Sequence, residues 1–179
     1  MKNICLIGPK HSGKTTVGRV LASLCSGCFV DLDELLAERT GKSPRTLYTQ
    51  GTAVFRKAEA EALAAFIGSK SPGPRIAAVG GGLTDNPEAV ALLEKTETIL
   101  SVYLNVSADT AWDRIIGSGG DMPPFLRTDN PRETHRILHE RRAAACRKFA
   151  RFTIEAEGKN PKAIAGEIMD MLTDIRGAP

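Results

Sequence analysis

With 179 residues the chain is long enough to bury a sizeable core and is most economically one domain. Its 24 basic residues against 21 acidic ones leave a net charge of +3, too small to argue for a nucleic acid or a membrane surface as partner. No apolar run approaches the ~18 residues that a membrane helix requires, and Met1-Lys2-Asn3-Ile4 leads straight into an apolar strand, so a cytoplasmic protein is expected.

Ile4, Cys5, Leu6 and Ile7 read as a buried strand, and Val17, Val20, Leu21 and Leu24 recur at helical spacing. Between them, Gly8-Pro9-Lys10-His11-Ser12-Gly13-Lys14-Thr15 is a complete phosphate-binding loop of the form Gly-x-x-x-x-Gly-Lys-Ser/Thr, in the strand, loop, helix order that the motif needs. Its two glycines let the backbone curl so that N–H groups converge on a polyphosphate at the positive end of the next helix. The nucleotide-binding set is therefore Gly8, Lys10, Ser12, Gly13, Lys14, Thr15 and Thr16. Lys14 is expected on the β- and γ-phosphates, and the Thr15 hydroxyl on Mg²⁺, which prefers hard oxygen ligands.

Cys25 and Cys28 have the spacing of a redox pair or half a zinc site, but Cys5 and Cys146 offer no second pair, so reduced thiols at a helix-to-strand junction are expected. Cys28-Phe29-Val30 starts a second strand that runs into Asp31-Leu32-Asp33-Glu34. Carboxylates two apart leave a strand end on one side, and in a parallel sheet that end faces the ligand. The structural alternative is a helix N-cap with a companion acid, because Asp33 precedes Leu35-Leu36.

Ser43-Pro44 opens another helical region. Beyond Gly51-Thr52, the segment around Phe55-Arg56-Lys57-Ala58-Glu59 continues helically through Leu63 and Phe66. Arg56 and Glu59 share a helix face, so the glutamate can hold the guanidinium in place; as a plain surface pair this contributes little, whereas an aimed arginine would be a carboxylate clamp. Arg75 to Val79 forms a third strand that ends in Gly80-Gly81-Gly82, where side chains are absent from a ligand-binding edge; a flexible turn is the alternative. Asp85-Asn86-Pro87 starts a helix, and Ile99 to Leu104 is a fourth strand.

Ala108 to Ile116 is helical, with Arg114 near its end. From Gly117 to about residue 130 the chain loses periodicity and is rich in Gly and Pro, which reads as a mobile lid that keeps water from a transferring phosphoryl group. Pro131 opens a long basic helix, read as a solvated face because no aromatic platform accompanies the charges to suggest RNA. Phe152 to Ile154 is a fifth strand, and Asn160-Pro161 starts the final helix. This alternation implies a parallel sheet with helices on both faces.

Taken together, the phosphate loop, Asp31-Leu32-Asp33, Phe55-Arg56-Lys57-Ala58-Glu59, Ala78-Val79-Gly80-Gly81-Gly82, and Glu140-Arg141-Arg142 followed by Ala150-Arg151-Phe152-Thr153-Ile154 resemble the shikimate kinase family over nearly the whole chain. The resemblance implies an α/β P-loop fold of the nucleoside monophosphate kinase type, with a five-stranded parallel sheet and a lid. It also implies transfer of the ATP γ-phosphate to the 3-hydroxyl of shikimate, with Mg²⁺ as cofactor, as a step toward aromatic amino acids. Lys14 and Asp33 are then catalytic, Asp31 and Thr15 hold the metal shell, and Arg114 is a nucleotide-side arginine. Asp33, Arg56, Arg142 and the Gly80, Gly81 and Gly82 backbone bind the substrate, with Arg141 a rival to Arg142. A monomer is expected, with ATP or ADP and a small anionic hydroxy acid as partners.

Three positions depart from the family pattern: Pro123-Pro124-Phe125-Leu126 lacks the lid arginine, Thr52 stands for a glutamate, and Cys146 for a tyrosine. Arg127 lies just past the lid. The departures leave two other functions open: a binding or regulatory module with weak turnover, and a kinase for another small hydroxy compound.

Overall fold

The computed structural model describes residues 3–119 and 122–177. Its centre is a five-stranded parallel sheet in the order β2-β3-β1-β4-β5, formed by β1 (Asn3–Ile7), β2 (Cys28–Asp31), β3 (Arg75–Ala78), β4 (Ile99–Asn105) and β5 (Phe152–Glu155). Register places Ile4 beside Ile76 on one side and Leu100 on the other, so β1 is the middle strand.

Alternation along β1 sends its side chains into two separate cores. Cys5 and Ile7 face one core with Leu63 and Phe66 of α4 (Thr52–Gly68), Leu93 of α5 (Pro87–Lys95) and Cys146 of α7 (Pro131–Phe149). Ile4 and Leu6 face the other with Val17 and Leu21 of α1 (Lys14–Leu24), Ala111 of α6 (Ala108–Gly117), and Ile164, Ile168 and Leu172 of α8 (Pro161–Gly177). Helices thus cover both faces, as the alternation of elements implies. Complete burial of Leu21, Leu63 and Phe66 contributes roughly 1.5–3 kcal/mol per side chain.

Helix starts follow from local chemistry. Ser43 and Ser107 accept backbone hydrogen bonds at the starts of α3 (Pro44–Gln50) and α6, and Asn86 and Asn130 do so for α5 and α7, each followed by proline. Asp31 corrects one expectation. The second strand ends there, and α2 (Leu32–Thr40) begins at once, with Asp31 Oδ1 accepting from the Asp33 amide at 3.0 Å. Asp31 is therefore the N-cap and Asp33 lies in the first helical turn, so the two acids are not residues i and i+2 of a strand. An Asp side chain competes well for orphan helix N–H groups, which ends the strand early.

Between α6 and α7 the chain forms a short 3-10 turn at Pro124–Leu126, where Leu126 is fully buried. Gly120 and Asp121, within the stretch expected to be a lid, lie outside the described residues. The basic helix α7 is largely paired: Arg136 bridges Glu133 and Glu140, and Arg132 reaches Asp109 at 2.8 Å. The four cysteines are free thiols. Among the described residues, no helix is long and apolar enough to cross a membrane.

Candidate active site

Strand order reverses at β1, whose neighbours β3 and β4 lead away in opposite directions, and this opens a crevice beyond the carboxyl ends of the strands. The phosphate loop fills that place. Gly8 adopts φ +147°, and a β-carbon there would lie 2.8 Å from Ser12 Oγ and 3.0 Å from the Leu104 carbonyl, so only glycine fits. His11 has φ +63°, the left-handed bend that turns the loop toward α1.

Lys14 is buried and folds across its own loop, donating from Nζ to the carbonyl oxygens of Gly8 at 2.8 Å and Pro9 at 2.9 Å. Burial pushes its ammonium down to about 8, opposed by the neighbouring Cys146, Asp33 and Asp31. The loop carbonyls hold Lys14 where phosphate oxygens are its stronger acceptors. Thr15 Oγ1 donates to Asp31 Oδ2 at 3.2 Å, which joins the start of α1 to the end of β2.

A cleft of about 610 Å³ runs along this edge and brings together Lys10, Ser12, Gly13, Lys14, Thr15, Thr16, Asp31, Asp33, Gly80, Gly81 and Arg114. Burial raises the Asp33 carboxyl above the ordinary range, reinforced by Asp31 and opposed by Lys14 and Lys10. Arg114 Nη1 donates to the His11 carbonyl at 2.9 Å. Lys159, Pro161 and Ile164 line the same cleft, although the sequence reading did not single them out as site residues. The packing of α8 beside α1 brings Pro161 and Ile164 there, with Lys159 in the turn just before α8.

The expected substrate arginines stand apart from this cleft. Arg142 lines a separate small cavity with Lys10 and Phe125. Its side chain is 16 % exposed, against 63 % for Arg141, which separates the two rivals by burial. Both donate to Asp85: Arg142 through Nη2 at 2.7 Å and Nε at 3.1 Å, and Arg141 through Nη2 at 2.7 Å. Arg142 also lies 5.9 Å from the Phe125 ring centroid and beside Gly82, whose β-carbon would sit 3.0 Å from Nη2.

Arg56 is exposed, and the hold that Glu59 could have on it is not formed. Glu59, only 2 % exposed, instead accepts from Asn86 Nδ2 at 2.9 Å, and the same Nδ2 donates to the Arg56 carbonyl at 2.8 Å. Residues three apart on a helix can meet only if both side chains leave on the same side of the wall; here Glu59 turns inward and Arg56 outward. Burial pushes the Glu59 carboxyl up to about 7. Its Oε1 has no partner among the described residues and lies 3.0 Å from where a β-carbon on Gly80 would stand, with Asp33 Oδ1 3.3 Å from that point. Gly80 therefore separates two carboxyl groups.

Asp85 and Asn86 were legible only as a helix start. No local signal marks them, because the partners that give them a role lie on α4 and α7.

Comparison with known proteins agrees with this geometry. The family model for shikimate kinase matches residues 10–173. A shikimate kinase of a Marinomonas species is 33 % identical over 171 residues, covering 95 % of this chain and 91 % of that protein. The shikimate kinase of Streptococcus gordonii is 35 % identical over 161 residues, covering 89 % and 94 %. Among solved structures, the shikimate kinase of Acinetobacter baumannii in complex with shikimate superposes with a TM-score of 0.86 at 28 % identity, covering 99 % of this chain and 96 % of that one. A gluconokinase of Sinorhizobium meliloti, at 17 % identity and TM-score 0.68, shares the fold. The family-model match over residues 10–173, with relatives 33 and 35 % identical along most of the chain, places this protein in the shikimate kinase family.

Proposed function

We propose that this protein is an ATP-dependent kinase that phosphorylates the 3-hydroxyl of shikimate, giving shikimate 3-phosphate and ADP. The observation that carries the reading is one cleft lined together by Lys14, Thr15, Asp31 and Asp33, with Asp31 in hydrogen-bond contact with Thr15 and with the Asp33 amide. Family membership narrows the acceptor to shikimate.

The reaction forms a bond between the substrate oxygen and the γ-phosphorus and breaks the bond from that phosphorus to the β–γ bridging oxygen; ADP leaves, and the hydroxyl proton must go to a base. Asp33 is that base, aligned by the first turn of α2, and its raised pKa makes it a better proton acceptor than an exposed aspartate. Lys14 leaves the Gly8 and Pro9 carbonyls for the phosphate oxygens, where its charge offsets the charge of the transferring group. Gly80 and Gly81 admit the substrate ring close to backbone, and Arg56 and Arg142 take its carboxylate from α4 and α7. Arg114 borders the nucleotide end.

Thr15 and Asp31 suit a hard divalent cation, since their oxygens lie 3.2 Å apart at the mouth of the loop. They would hold Mg²⁺ bound with the nucleotide, which neutralises β- and γ-phosphate charge. The described part of the 117–130 stretch supports a lid role over this site, with Phe125 resting near Arg142.

The test is ADP release with Mg²⁺ and ATP, with and without shikimate, beside shikimate binding by calorimetry. Shikimate-dependent turnover is expected. Tight shikimate binding with negligible turnover would replace this reading with a regulatory module, and absence of both would point to a different acceptor.

A further inference from the structure

Two consecutive residues, Asp85 and Asn86, hold both arginines assigned to the substrate carboxylate, although these arginines lie 86 positions apart on different helices. Asn86 fixes Arg56 through its backbone, by the hydrogen bond from Nδ2 to the Arg56 carbonyl. Asp85 fixes Arg142 through its guanidinium. The two residues follow Gly80-Gly81-Gly82 in a tight 3-10 turn, Leu83–Asp85, closed by the Asp85 amide donating to the Gly82 carbonyl at 2.8 Å. They are therefore anchored to the substrate edge of the sheet itself.

We propose that Asp85 is a positioning residue that aims Arg142 at the substrate carboxylate, with Asn86 setting the place of Arg56; this rests on the kinase reading above. The edge of the guanidinium that Asp85 uses is decisive. A guanidinium presents a side-on pair of donors at Nε and Nη2 and an end-on pair at Nη1 and Nη2. Asp85 Oδ2 takes the side-on pair, at 3.1 and 2.7 Å. Among the described residues nothing accepts from Nη1, so the end-on fork remains for a second carboxylate. Arg141 occupies the other oxygen, Oδ1, and fixes the Asp85 rotamer. Arg141 and Arg142 against Asp85 leave a net positive charge here before Arg56 is counted, so an incoming anion is still attracted.

This arrangement pre-organises a long side chain whose free rotamers would otherwise have to be frozen on binding. Held from one edge, Arg142 presents the other in a fixed direction.

The experiment compares wild type with Asp85→Ala and Asp85→Asn in steady-state kinetics, using shikimate and its methyl ester, which lacks the anionic carboxylate. Asp85→Ala is expected to raise the shikimate KM by about 10-fold with kcat and the ATP KM nearly unchanged, a loss typical of one charge-assisted contact. Asp85→Asn keeps the shape and one acceptor oxygen, so its shikimate KM should be intermediate. The KM for the ester should be the same in all three proteins, a result that general damage to the site could not give. An unchanged or lowered shikimate KM in both variants, or an equal loss with the ester, would overturn the proposal. Arg142→Ala in parallel separates the two levels: if it leaves the shikimate KM unaltered, the assignment of Arg142 to the carboxylate is itself wrong, whereas a raised KM there with unaffected Asp85 variants refutes only the positioning role.

Discussion

Gly81 and the amide nitrogen of Lys10 meet so closely that a β-carbon on Gly81 would stand 2.7 Å from that nitrogen. The edge of β3 and the phosphate loop are thus in backbone contact, and no side chain can be interposed without moving one of them. Gly81→Ala should cost about 1–3 kcal/mol through overpacking, which for a chain of this size lowers Tm by roughly 3–10 °C. The ATP KM should rise more than the shikimate KM, because the loop is the part that yields. Calorimetric melting and steady-state kinetics check this; an unaltered Tm and ATP KM would show that the loop has room to spare.

Lys14 already sits among carbonyl acceptors inside the loop. Replacing it with methionine keeps the packing and removes the charge, so folding should survive while kcat falls by about 10²–10³. Single-turnover phosphoryl transfer measures this directly, and a loss under tenfold would mean that Lys14 only shapes the loop.

Glu59 gives a pH dependence of stability. Its carboxyl titrates near 7 in the folded chain and near 4.5 as an ordinary glutamate, with burial the main cause and Asp33 and Asp85 adding to it against Asn86 and Arg142. The folded state therefore holds a proton that the unfolded state has lost between these values. The stabilisation is full below pH 4.5 and is lost as pH rises through 7. Glu59→Gln keeps an acceptor for Asn86 and cannot ionise, so its Tm should fall less than that of wild type between pH 6 and about 8.5, a difference equivalent to about 1–3 kcal/mol. Parallel melting curves in that range would contradict a proton on Glu59.

Asn86 is almost fully buried and satisfies a helix cap, a main-chain carbonyl and a carboxylate with one side chain. Asn86→Ala should destabilise by about 2–4 kcal/mol, since it removes the α5 cap and leaves the buried Glu59 carboxyl without its hydrogen-bond donor. Urea unfolding at fixed pH reads this out; a change under 1 kcal/mol would indicate that water replaces the amide.

How much of this was legible beforehand depended on range. The phosphate loop, the strands and the helix starts are local, written in glycine placement, periodicity and caps, and they stand where the residues imply. Asp31 was half legible: its carboxylate was found, but its competition for the α2 amides, which ends the strand at that residue, depends on geometry that spacing does not reveal. The Arg56 and Glu59 pair misled because a shared helix face says nothing about which member the neighbouring helix buries. Asp85 was invisible as a site residue because its partners lie 56 and 57 positions away on α7, and no local pattern encodes that approach.

The central place of β1 has a consequence for how the chain comes together during synthesis. Ile4 hydrogen-bonds alongside Ile76, 72 positions later, and alongside Leu100, 96 positions later. A parallel strand cannot pair with its near neighbours in sequence, and distant pairings close slowly. Until residues of β3 have left the ribosome, the segment that ends in the phosphate loop has neither flank in place, and until β4 follows it still lacks one, so its run of apolar side chains is open to wrong association. ATP, which needs the finished loop, can therefore favour the native chain only after more than half of it has been made.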